Sequence, residues 1–69
     1  MRPTKLGRRL ATLRDALGWT QVELAERAGV ERSYIALIER GYRRTPSRRV
    51  LRDIARALRV TVDELEESR

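Results

Sequence analysis

Apolar residues recur along this chain at helical spacing, in five stretches separated by short polar breaks. In the first stretch Leu6, Leu10, Leu13 and Leu17 stand four, three and four residues apart, the repeat of one helix face. Thr4 is placed to cap that helix, which is expected to reach about Leu17, with Gly18 closing it. Gly7 sits inside it at about 1 kcal/mol relative to Ala, which predicts that another backbone passes close by. Arg8, Arg9 and Arg14 fall off the apolar stripe, and Trp19 is expected in the following turn, packed at the edge of the core.

The second and third stretches meet at a glycine. Thr20 and Glu23 form a capping box that makes Gln21 the first residue of the second helix, whose apolar side is Leu24, Ala25 and Ala28. Gly29, followed by Val30, stands where the chain must bend at positive φ. Ala25 is small enough for two helices to cross closely. The third helix spans about Glu31 to Arg40, with Ile35 and Ile38 inward and Gly41 at its end. A small residue, a glycine and then apolar residues at helical spacing are what a helix-turn-helix requires. A basic loop, Tyr42 to Ser47, leads to a fourth helix at about Arg48 to Leu58 with Leu51, Ile54, Ala55 and Leu58 on one face. Thr61 and Glu64 form a second capping box for a last short helix carrying Val62 and Leu65. The expected fold is all-α, five short helices in a single domain over residues 1–69.

Charge changes this picture more than composition does. The net charge is +6, and it is unevenly placed. Arg40 to Arg59 holds eight Arg and one acid, whereas Thr61 to Arg69 holds four acids and one Arg. A surface that merely keeps a protein soluble mixes the signs more evenly, so a polyanionic partner is expected. Met1-Arg2-Pro3 adds a short basic arm. The chain has no His and no Cys, its Ser and Thr stand at helix starts, and its acids are spread over solvent faces. Nothing pairs a base with a nucleophile or gathers three metal ligands, so neither an enzyme nor a metal or cofactor site is expected. No apolar run approaches membrane-spanning length and no signal-peptide core is present, which points to the cytoplasm and its nucleoid. No module for a small-molecule effector is evident.

The chain resembles the lambda-repressor-like, Cro/C1-type helix-turn-helix family of bacterial and phage DNA-binding proteins. The resemblance runs through LGRRLATLRDALGWTQVELAERAGVERSYIALIERG, then PS, then IARALRVTVDEL, and is most specific at Thr20-Gln21, Leu24-Ala25, Ala28-Gly29-Val30 and Ile38-Glu39-Arg40-Gly41. It implies a five-helix fold whose third helix enters the major groove while the second lies across the backbone. It implies that Gln21 touches a phosphate and steadies the recognition helix, that Arg32, Ser33 and Leu37 read base edges, and that Tyr34 meets the backbone. Arg43 and Arg44 match the basic loop that grips phosphates, and Arg14 with Glu39 matches a charged pair tying the first helix to the third. Glu31 departs from the pattern, standing where relatives commonly carry a Ser or Thr cap.

The residue chemistry leads to the same place. Arg32, on the first turn of an exposed helix, carries the planar fork that pairs bidentately with guanine, a contact worth about 1–3 kcal/mol of discrimination. Its alternative is a surface ion pair with a neighbour such as Glu31, worth under about 1 kcal/mol. Glu31 either accepts from cytosine N4 or interacts with its own helix dipole. Leu37 either touches a thymine methyl or extends the core. Arg40, Arg43 and Arg44 are assigned to phosphates, which fix register without reading sequence. The expected function is a sequence-specific regulator on double-stranded DNA, a homodimer on a palindromic operator, with Val62 and Leu65 either as dimer contacts or closing the monomer core. The alternative is an antitoxin or adaptor whose main role is docking a protein partner, for which the acidic segment Asp63 to Glu67 gives some basis.

Overall fold

The computed structural model describes residues 3–66; the arm residues Met1 and Arg2 and the acid Glu67 lie outside them. Five helices follow in order: α1 (Lys5–Ala16), α2 (Gln21–Ala28), α3 (Arg32–Arg40), α4 (Arg48–Leu58) and α5 (Val62–Glu66). Their starts are built by local hydrogen bonds. The Thr4 hydroxyl accepts from the Gly7 amide at 2.9 Å and the Ser47 hydroxyl from the Val50 amide at 3.2 Å. Thr20 and Glu23 make the reciprocal pair of a capping box, and Thr61 with Glu64 makes another. Each satisfies amides that the first helical turn leaves without a partner.

The core is one cluster. Leu10, Leu24, Ile35, Ile38, Ile54 and Leu65 are wholly shielded, with Ala25, Ala28, Leu51, Ala55 and Leu58 nearly so. α2 packs on α3 and α4, α1 on α3 and α5, and α4 on α5. Two residues depart from expectation. Leu17, assigned to the apolar stripe of the first helix, is 47% exposed, because α1 ends at Ala16 and Leu17 belongs to the turn beyond it. Leu65, offered as a dimer contact, is 0% exposed; α5 packs on both α1 and α4, so this side chain closes the monomer core. Trp19 sits at the core edge, with the Arg27 guanidinium 4.4 Å from its ring centroid.

Gly7 shows why a glycine stands inside a helix. A Cβ built there would lie 2.5 Å from the Ile38 carbonyl oxygen and 2.9 Å from that of Glu39. α1 therefore crosses directly on the last turn of α3, closer than any side chain allows.

Candidate nucleic-acid interface

The helix-turn-helix is assembled around Gly29, which ends α2 at φ 74° and ψ 30° while its amide donates to the Ala25 carbonyl. Val30 donates to the same carbonyl, so the bend is closed by two hydrogen bonds. α3 then starts at Glu31, whose side chain makes no capping bond. This helix is held by one side only: Ile35 and Ile38 are fully buried, and Arg32, Ser33, Leu37 and Arg40 face solvent. Leu37 is 37% exposed. Together with Gly29, Val30, Glu31, Ser33, Tyr34 and Arg43 it lines a shallow groove along α3.

Polar contacts fix the orientation of α3. Arg14 donates from Nε to Glu39 Oε2 at 2.8 Å and from its second terminal nitrogen to Oε1 at 3.1 Å, a bidentate pair. Its remaining nitrogen reaches the Trp19 carbonyl at 2.7 Å and Asp15 at 3.2 Å. Gln21 Nε2 donates to Glu39 Oε1 at 3.0 Å. One carboxylate on α3 is thus gripped from α1 and from the first residue of α2. The hydrogen bonds that Arg14 donates to Glu39 raise its guanidinium above the ordinary value, and the charges of Glu39 and Asp15 add to this, against the lowering effect of burial.

Gln21 therefore spends one amide hydrogen on Glu39. Its own backbone N–H stands at the positive end of α2. Beyond α3, Gly41 turns the chain at φ 87°. The amides of Tyr42 and Arg43 then fold back on the Leu37 carbonyl at 3.0 and 3.1 Å. This loop sets exposed Arg43 and Arg44 beside the helix. Arg43 lies 5.1 Å from the ring centroid of half-buried Tyr34. The structure thus gathers Glu31, Arg32, Ser33, Leu37, Arg40 and Arg43 around one face of α3, with Gln21 at its flank. It does not place Val62 there: that side chain is half-buried in a depression on α4 and α5 with Arg49, Arg52 and Arg56. Arg48, at the start of α4, stands 3.8 Å from Glu66.

Among the contacts that sequence reasoning missed are Gln21 to Glu39, Arg14 to the Trp19 carbonyl, Arg27 over Trp19, and Arg43 over Tyr34. The last joins residues nine apart across a turn, a separation with no helical or strand period to announce it. Among the described residues no helix is long and apolar enough to cross a membrane.

The helix-turn-helix family model matches residues 10–65. The transcriptional regulator SinR of Bacillus subtilis is 38% identical over 60 residues, spanning 87% of this chain and 54% of SinR. The chain thus spans about half the length of that curated relative. The solved structure of SinR in complex with DNA superposes with a TM-score of 0.84 at 38% identity, covering 87% of this chain and 95% of that one. SinR in its complex with SinI gives 0.87 at 36% identity over 91% of this chain and 61% of the other. The restriction-modification controller protein C.AhdI of Aeromonas hydrophila gives 0.82 at 41% identity, covering 88% and 91%.

Proposed function

The chain belongs to the Cro/C1-type helix-turn-helix family of transcriptional regulators, and from that premise we propose that residues 1–69 form one domain that reads double-stranded DNA through α3. Arg32, Ser33 and Leu37 meet base edges, with Glu31 at the near end of the same groove. Gln21, Tyr34, Arg40, Arg43 and Arg44 hold the flanking phosphates. The observation that carries this reading is the outward face of α3: a helix pinned by two buried isoleucines and a gripped carboxylate, presenting guanidinium groups and one bare leucine to solvent. It acts in the cytoplasm, and by binding rather than by catalysis.

One helix in one groove is a small footprint, so two copies on half-sites about 34–36 Å apart give useful affinity. With Leu65 committed to the core, the edge of such a dimer falls on the α4–α5 depression around Val62. Sedimentation of the chain alone and on selected duplex tests this, and a strict monomer in both states removes the dimer.

The DNA reading is tested by selection from a random duplex library. A motif should enrich, and affinity should fall steeply with salt as arginines displace counterions. Arg32→Ala should relax preference at one base pair, about 1–3 kcal/mol, while Arg43→Ala should weaken all sequences alike. Equal affinity for every duplex would remove sequence reading. A second reading has one observation behind it: SinR was solved in complex with SinI. A protein partner for this chain would survive nuclease treatment in a pull-down, and both roles can coexist.

A further inference from the structure

The crossing at Gly7 has an electrostatic consequence. Because α1 rides on the last turn of α3, its first turn stands next to the loop that leaves α3. Lys5 and Arg8 thereby meet Arg44, and the three cations line an open cleft of about 450 Å³, with Pro3 beside them among the described residues. All three are exposed. Among the described residues no carboxylate pairs with Lys5 or Arg8. The first turn of α1 contains no acid, and Lys5 sits there against the positive end of the helix dipole. A local rule broken without a compensating partner marks a place where something other than folding chooses the residues.

We propose that this cleft is a binding site for a DNA backbone phosphate, at which Lys5 and Arg8 of α1 join the Arg44 already assigned to the backbone. The assignment rests on the DNA-binding reading above. With the first turns of α3 over base edges, its last turn lies at the rim of the groove, and the chain that crosses it stands over the adjoining strand. The cleft is continuous with the loop carrying Arg43 and Arg44, so one strand can pass from one to the other. Its role is affinity and register, since a phosphate carries no sequence information.

The test compares the parent chain with a Lys5→Gln/Arg8→Gln double variant on the library-selected duplex and on a scrambled one. Loss of this one phosphate contact should lower the slope of log affinity against log salt by about 0.9 and weaken binding roughly eightfold near 0.1 M salt. The ratio between selected and scrambled duplex should be unchanged, and the melting temperature should not fall. Methylphosphonate substituted one phosphate at a time should reveal a position that weakens the parent but not the variant. An unchanged salt slope, or identical methylphosphonate profiles, overturns the proposal while leaving the DNA reading intact. So does competition by inorganic pyrophosphate that depends on Lys5 and Arg8 when DNA affinity does not, because the anion is then a free one. A parent that binds no duplex at any salt takes both readings down, and that is visible before any variant is made.

Discussion

Gly7→Ala is a single added methyl group with a calculable result. The new Cβ would meet two backbone carbonyls, at 2.5 Å from the oxygen of Ile38 and 2.9 Å from that of Glu39. Carbon and carbonyl oxygen approach no closer than about 3.3 Å in ordinary contacts, so α1 and α3 must separate by several tenths of an ångström. Neither oxygen can rotate away as a side chain would. Overpacking of this kind costs about 1–3 kcal/mol, and a backbone neighbour puts Gly7 at the upper end. Alanine returns about 1 kcal/mol through its better helix propensity. The net expectation is a loss of about 1–2 kcal/mol. In a domain of this size each kcal/mol shifts the melting temperature by about 4–8 °C, so a fall of roughly 5–15 °C should be seen by far-UV circular dichroism. Urea titration should show a lower midpoint with an unchanged slope. A variant that melts at or above the parent would refute the reasoning, because it would mean that Gly7 is an ordinary helix glycine with room beside it.

Other perturbations reach different parts of the molecule. Glu39→Ala strips Arg14 and Gln21 of their shared acceptor where the side chains of Arg14 and Glu39 are only 14% and 9% exposed. A loss near 3 kcal/mol is expected, the low end for breaking a buried pair because some water reaches it, and urea unfolding equal to the parent would deny the network its role. Glu39 raises the Arg14 value, so that contribution is complete below the unfolded value and is lost as pH rises through the folded one. A double-mutant cycle should therefore give the same Arg14 contribution at neutral and mildly alkaline pH. Arg59 closes α4 in the left-handed region at φ 62°, so Arg59→Gly should stabilise by about 1 kcal/mol, read as a higher melting temperature. Glu31→Thr supplies the missing cap of α3, worth about 1 kcal/mol, and removes a negative charge from the start of that helix. Affinity for all duplexes should rise, and loss of preference at one cytosine would identify Glu31 as a base reader.

What the chain alone determined is local. The capping pairs Thr20 with Glu23 and Thr61 with Glu64, the bend at Gly29 and the inward set Leu24, Ala25, Ala28, Ile35 and Ile38 all depend on residues one to four positions apart. Such relations survive in one dimension, because a helix repeats within that span. The closeness of some backbone to Gly7 was legible for the same reason; that the backbone is the last turn of α3 was not.

Tertiary structure decided whatever depends on how helices cross. Leu17 and Leu65 occupy equally plausible apolar positions in the sequence, yet one stands in solvent and the other in the core. Gln21 meets Glu39 eighteen residues away, Arg43 settles over Tyr34, and Lys5 comes to share a cleft with Arg44. None of these pairs follows a repeat. Each is set by crossing distances that only the packed core determines, and side chains carried on crossing helices meet or miss one another by ångströms that no spacing along the chain encodes.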